Sequence, residues 1–440
     1  MGGNFRLEAA IYDRVEYMFE ELGFNDHQIH AVIRFAGPVD AGVMERAFML
    51  VLSSMPLWSC RYHHDQGADH WEEASFEPDE VFRVVDTYQK FQQHAVSKTD
   101  AAAGPQITGC LFAGDTTEQP ALSVTINHSV ADAASFKECL YFLASYYTHL
   151  LSDPGYVPEP VSMGGRGIKD VVAAATFRQK AGLLFSGRKP ALRDPGMALP
   201  MSHGADVAPF ILTQSIRPER YARIVSYGRE RDATLNDVVL AAYHRALSET
   251  LGVSEPVDVV TTVDMRRYLT REPAVLDNLS SLSKTTVAVA ESDTFDDTLS
   301  EVRRQMNHLK SHLIGMTGFV QLWALFGLLP PRRSYAALKA GLANAHLCMT
   351  NLGNIKHDQL VFRDTPVAGA FITGPIQYRP TVQIGMSTYK DSITFSICLY
   401  GDDEDLRNAQ RLCDVLDQEL PGYDETSRFV TETFIAQAPA

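Results

Sequence analysis

The sequence predicts a mixed α/β (α+β) protein of two packed halves. At 440 residues the chain is too long for one small core. Strand-type alternation and helix-type periodicity interleave through both ends of the sequence. Between them, Ser152 to Gly167 and Gly187 to Pro209 are rich in Pro and Gly, as in a long connection.

In the first half, Gln28–Phe35 reads as a strand, with apolar Ile29, Ala31, Ile33 and Phe35. A helix follows to about Ser53, with Asp40 in the N-cap position. Strands are predicted at Leu57–Tyr62 and Asp69–Ser75, then a helix at Thr87–Ala102. Further strands are predicted at Gln106–Phe112 and Ala121–Asn127. Phe136, Cys139, Leu140, Leu143, Tyr147 and Leu150 then share one helical face. A helix at Ile168–Leu184 lies within the connection. The second half predicts a strand at Phe210–Ser215, a helix from Pro218 and a helix capped by Thr234. A strand at Val257–Val263 follows, then others at Leu282–Ala290, His346–Asn351, Ala368–Thr373, Val382–Ser387 and Ile393–Tyr400. A last helix covers Glu404–Leu420. The lobes are expected at 1–180 and 210–440, with 181–209 as linker.

Composition narrows the function. Hydrophobic residues are 45% and charged residues 21%, an ordinary globular balance that excludes general disorder. A net charge of -15, with no Lys/Arg run carrying aromatics, argues against nucleic-acid binding. The six cysteines form no C-x-x-C pair and sit among apolar residues, so they read as buried free thiols of a reducing compartment. The N-terminus lacks a signal-type apolar core, and Arg6 stands where a myristoylation pattern at Gly2 wants Ser or Thr. These features predict a cytoplasmic monomer. The most apolar run, Gly318–Leu329, is too short to span a bilayer and contains Gln321; a buried helix is expected, with a lipid-lined wall as the alternative.

The segment Leu122-Ser-Val-Thr-Ile-Asn-His-Ser-Val-Ala-Asp-Ala-Ala-Ser135 carries the chemistry. A strand runs into His128, Asp132 follows four residues later, and small residues flank both. That order sets one imidazole at a sheet end with little bulk around it, where a general base belongs. His149 and Asp153 repeat the spacing, but they lead into Ser152-Asp-Pro-Gly155, which is turn chemistry. His63, His64 and His70 fall in a predicted hairpin, and His308 and His312 on one helical face; neither set has a recognised ligand spacing, so no metal is expected. Gly164-Gly-Arg-Gly167 lacks the strand and Lys-Ser/Thr of a phosphate-binding loop.

These residues resemble the superfamily of chloramphenicol acetyltransferase, nonribosomal peptide condensation domains and stand-alone alcohol acyltransferases. The shared motif is His-His-x-x-x-Asp-Gly or His-x-x-x-Asp; here it reads Asn127-His-Ser-Val-Ala-Asp-Ala133. The Thr234-Leu-Asn-Asp237 helix start, Val263-Asp-Met-Arg-Arg-Tyr-Leu269 and Met349-Thr-Asn-Leu-Gly353 extend the resemblance over the chain. Asn127 replaces the first histidine and Ala133 the glycine. The Asp-Phe-Gly-Trp-Gly signature of the plant branch is absent, which points to a free-standing microbial enzyme.

The resemblance implies two chloramphenicol-acetyltransferase-like lobes, each a mixed sheet with helices, and an active-site tunnel between them. It implies transfer of an acyl group from an acyl-CoA or a pantetheine carrier, as co-substrate, to a hydroxyl or amine, with His128 as base and no tightly bound cofactor. Its partners are then a small-molecule acceptor, the thioester and, in one reading, an acyl carrier protein. It makes Asp132 a brace paired with Arg266, or alternatively Arg267; the competing reading is that Asp132 caps its own helix and Arg266 is solvated. Asn127 is a supporting residue. Thr350, Asn351 and the backbone around Ala133 are the oxyanion-donor candidates. Alternatives are a carrier-dependent amide-forming enzyme and a non-catalytic binder.

Overall fold

The computed structural model describes residues 5–65, 68–159, 161, 166–185, 196–269, 277–341, 343–424, 426 and 428–436. Gly2, Gly164, Gly165 and positions 186–195 of the expected linker lie outside them.

Two sheets carry the fold. The N-terminal sheet has five strands in the order Val367–Thr373, Gln28–Phe35, Ala121–Asn127, Ile107–Phe112 and Phe82–Val85. The C-terminal sheet has seven, in the order Ser280–Val287, Val257–Asp264, Leu347–Ile355, Val382–Tyr389, Ser392–Gly401, Ala208–Ser215 and Val430–Ile435. A small sheet of Arg6–Glu8, His70–Glu73 and Cys60–His63 flanks the first. Val367–Thr373 comes from the second half of the chain, yet pairs antiparallel with Gln28–Phe35 in the first-half sheet. Two large apolar cores result, one beneath each main sheet.

Local chemistry explains the elements that position the site. The helix Ala133–Ser152 buries Phe136, Cys139, Leu140, Leu143, Tyr147 and Leu150, the face the sequence marks as apolar. The helix Leu235–Leu251 starts at a Thr234–Asp237 capping box, and Asp40 caps the helix Ala41–Ser54 through the amide of Val43. All six cysteines are buried and unpaired.

Several elements differ from expectation. The predicted helix Thr87–Ala102 is only Tyr88–Ala95; beyond it the Asp100 carboxylate accepts from the amides of Ala102 and Ala103 and diverts the chain into a turn. The predicted helix Ile168–Leu184 splits into Lys169–Ala173 and Phe177–Phe185, because the Thr176 hydroxyl accepts from the Gln179 amide and starts a second helix. Leu57 lies in a short 3-10 turn, so its strand begins at Cys60. The apolar run is the helix Met316–Leu328, but it is not simply buried: Phe319 and Val320 face the core, Leu322 and Leu325 line a cavity, and Leu328 is exposed. Phe295–Leu328 is long and apolar enough by composition to cross a membrane, with 22% of the relevant window buried. It is two helices, Phe295–Ser311 and Met316–Leu328, broken where Gly315 adopts φ 79.

Buried His244 sets a pH dependence. It lies inside the helix Leu235–Leu251 with Nε2 2.9 Å from the Thr285 hydroxyl, and burial pushes its pKa down to about 3. The unfolded chain takes up this proton near pH 6.5, the folded chain only near 3. Stability is therefore complete above the unfolded value and falls with pH below it, by roughly 2 kcal/mol at pH 5 from this group. In denaturant melts at pH 7 and pH 5, His244→Gln should lose less stability on acidification than the parent by about that amount; an equal loss in both would remove His244 from the account.

Candidate active site

The strand Ala121–Asn127, central in the N-terminal sheet, delivers His128 at its C-terminal end. Asn127 is fully buried, and its side-chain oxygen accepts from the Ser129 amide at 2.9 Å. This Asx turn breaks the strand and swings the imidazole outward. The His128 amide donates to the His27 carbonyl at 2.9 Å, which pins the turn to the neighbouring strand. His128 stays half-buried and lines a cavity of ≈ 1390 Å³ between the two halves, with Glu16 and Ala133 from the first half and Thr350, Leu322 and Gln383 from the second.

Asp132 serves both as cap and as brace. Its Oδ1 accepts from the Ser135 amide at 3.0 Å, capping the helix Ala133–Ser152. The same carboxylate accepts from Arg266 at 2.5 Å and 3.0 Å in a bidentate pair, and from the Leu279 amide at 2.9 Å. Arg266 also reaches the Ser135 hydroxyl at 3.0 Å and the Asp277 carbonyl at 3.2 Å. Burial alone would raise the Asp132 pKa, but the Arg266 charge and these hydrogen bonds hold it below the usual carboxylate value. Arg267 instead lies over the Tyr268 ring, 5.7 Å from its centre.

Three residues at the site escape sequence reasoning. The Asn278 amide nitrogen donates to the His128 carbonyl at 2.8 Å and lies 3.2 Å from Nδ1. A hydrogen bond at Nδ1 makes that nitrogen the acceptor and puts the ring proton on Nε2. A base working through Nε2 uses the other tautomer, in which Asn278 holds only the carbonyl. Glu16 is buried on the helix Ile11–Glu21; desolvation raises its carboxyl to about 7, against the pull of a charged His128. His27 sits beside it, its Nε2 3.4 Å from a Glu16 oxygen, with φ 62. Asn25-Asp-His-Gln28 was the available signal, because Asn25 and Asp26 accept from the amides of His27 and Gln28 in a pair of Asx turns.

Thr350 and Asn351 lie on the strand Leu347–Ile355 and both line the cavity. Thr350 is buried, with its hydroxyl 2.9 Å from that of Thr262. Asn351 is exposed and committed elsewhere: its nitrogen donates to Asn236 and its oxygen accepts from the Gly353 amide. Gly353 has φ 82, and Lys137 Nζ lies 2.7 Å from where a Cβ would stand. That close approach lets Lys137 donate to the Leu352 carbonyl at 2.8 Å, fastening the strand to the helix that follows His128.

The other histidines that the sequence weighs as metal ligands fall into two groups. His63 pairs with His70 across the hairpin, which brings Glu72 within reach of both, so these three form an exposed potential ligand group that no linear spacing revealed. His64 is held by Asp69 at 2.8 Å. The His308 and His312 rings lie 4.2 Å apart, tilted by 33°, with the His312 Nδ1 2.8 Å from the His308 carbonyl.

Removing the brace should cost the fold itself. Asp132→Asn leaves the largely buried Arg266 with only the exposed Asp264, 3.4 Å away, as a paired counter-charge, a loss of up to about 3–5 kcal/mol. Denaturant unfolding should show that loss together with reduced turnover; an unchanged unfolding curve with turnover alone lost would make Asp132 a catalytic residue rather than a brace.

Residues 282–422 match the family model of the WS/DGAT C-terminal domain. No curated protein sequence matches the chain. Among solved structures, the TRI3 trichothecene 15-O-acetyltransferase of Fusarium sporotrichioides has a TM-score of 0.68 at 13% identity, covering 94% of this chain and 96% of that one. The first condensation domain of the CDA synthetase gives 0.66 at 17% identity, covering 97% and 99%. Polyketide synthase associated protein 5 of Mycobacterium tuberculosis gives 0.62 at 16% identity, covering 93% and 97%. The chain therefore has the two-lobed fold of the condensation-domain and chloramphenicol-acetyltransferase-like acyltransferase superfamily.

Proposed function

We propose that the protein is an acyltransferase that moves an acyl group from a thioester, acyl-CoA or a carrier-bound pantetheine, to a hydroxyl or amine. One observation carries this reading: a half-buried imidazole, held by a braced turn, opens onto a large cavity lined by both halves of the chain. His128 accepts the acceptor's proton as its oxygen or nitrogen attacks the thioester carbonyl. The tetrahedral intermediate then collapses, the C–S bond breaks, and the imidazolium returns the proton to the leaving thiolate. No acyl-enzyme forms. A positioned base contributes roughly 10²- to 10⁴-fold, and joint confinement of two substrates adds effective molarity.

Thr350 is the better oxyanion-donor candidate of the two side chains. It is buried beside the cavity with a rotatable hydroxyl, whereas both ends of the Asn351 amide are already engaged. Ile314, Leu322, Leu325 and Leu338 give the cavity an apolar side, which suits a medium or long acyl chain.

Free-thiol release from acyl-CoAs of increasing length, with a panel of alcohols and amines, tests the proposal. His128→Ala should lower turnover by at least ~10²-fold without changing the unfolding curve. Thr350→Val should lower kcat about 10- to 10³-fold with little change in KM, and Asn351→Ala should do neither. Turnover seen only with a pantetheinylated carrier protein would move the donor assignment to the carrier; activity surviving His128→Ala would end the base assignment.

A further inference from the structure

At His128 the structure assembles a donor set of which the proposed reaction uses only the one imidazole, leaving Glu16 and His27 without a role. One ligand atom from each of Glu16, His27 and His128 lies within 4.8 Å of the other two. Glu16 Oε2 and His27 Nε2 are 3.4 Å apart, close to the edge of a tetrahedral coordination shell. The His27 and His128 ring centres are 5.4 Å apart with planes inclined by 30°. Two imidazoles bound at ~2.0–2.1 Å to one tetrahedral ion place their centres roughly 5 Å apart.

His27 supplies the second observation. It is 1% exposed, and neither ring nitrogen has a hydrogen-bond partner. A buried imidazole with two orphaned nitrogens is costly unless something fills that role. Its backbone is also held at φ 62, a strained value for a non-glycine residue and one that clusters at functional sites. Burial holds its pKa well below the ordinary histidine range, so the ring is neutral and its lone pair is available.

We propose that Glu16, His27 and His128 form a binding site for a zinc-class divalent cation, with its open coordination position facing the cavity that Glu16 and His128 line. Two nitrogens and one carboxylate with an open side suit zinc and cobalt; magnesium and calcium prefer all-oxygen shells. A bound ion occupies the His128 lone pair that would take the acceptor's proton, so the site acts as a reversible brake on acyl transfer. This last clause rests on the proposed role of His128; the binding itself does not.

The test uses the full chain in a His63→Ala, His70→Ala background, which removes the exposed His63–His70–Glu72 group. Co²⁺ titration followed by visible absorption should show one equivalent with tetrahedral d–d bands, displaced by Zn²⁺. His128→Ala should abolish the bands, and Glu16→Gln, nearly isosteric, should weaken binding at least ~10-fold. Zn²⁺ should stop thiol release and a chelator restore it, with Glu16→Gln needing at least ~10-fold more zinc for the same inhibition. No Co²⁺ uptake at millimolar metal, or uptake indifferent to both substitutions, overturns the site. Zinc that binds here but leaves or raises turnover overturns the brake. Bands that respond to both substitutions in a protein that transfers no acyl group keep the site and overturn the reading of His128 as a base.

Discussion

The Asp132–Arg266 pair is the constraint on which the rest of the site depends. It joins the first turn of the helix after His128 to the end of the strand Val257–Asp264 in the other half. The Asp132 carboxylate also accepts from its own helix and from the Leu279 amide, so its lone pairs are well used. Buried charge is expensive, and such a pair contributes little net stability compared with apolar residues of the same volume. Its value lies in register: the turn carrying His128 cannot rotate without stripping a guanidinium of its partner. The neighbouring Lys137–Leu352 contact and the Tyr141 hydroxyl, which accepts from the Lys356 amide at 2.8 Å, repeat the same connection farther along the helix.

Around that brace the cavity wall is electrostatically uneven. Asp132 is held ionised by Arg266, whereas desolvation pushes Glu16 up to about 7 and Asp277 to about 6. Carboxyls a short distance apart thus have opposite tendencies: the bidentate Arg266 contact outweighs burial at Asp132, whereas desolvation outweighs the charges around Glu16 and Asp277. Histidines divide the same way: His27 is kept neutral by burial, while His128 stays half-exposed at the cavity. The site therefore has one accessible imidazole beside a carboxyl poised near neutrality, backed by a second imidazole that solvent cannot reach.

Much of this was legible in the sequence because it is local. Strand, turn and helix around His128 follow from alternation, from the small residues around Asp132 and from a helical apolar face, all close together in the chain. Arg266 was reachable only through the family resemblance, since nothing in its own segment announces a partner in the other half. Asn278, Glu16 and His27 were not legible. Each gains its role from a contact across a long sequence separation, and Glu16 looks like any charged residue of an amphipathic helix until packing buries it. The fold's misread elements have the same origin. The helix expected to run to Ala102 ends at Ala95, with the chain beyond it turned by the Asp100 carboxylate, and the apolar run at Gly318–Leu329 divides its faces among core, cavity and solvent.

The strand Val367–Thr373 carries a mechanical implication. It leaves the second half, hydrogen-bonds along Gln28–Phe35, and returns to Val382–Tyr389 in the other sheet. The two halves are thus stitched by backbone, as a strap ties a clasp, and jaw-like opening would have to unzip ladder bonds rather than flex a hinge. The helix Met316–Leu328 sets Gln321, Leu322 and Leu325 against the space enclosed between these tied halves, so a change of volume there alters that space directly.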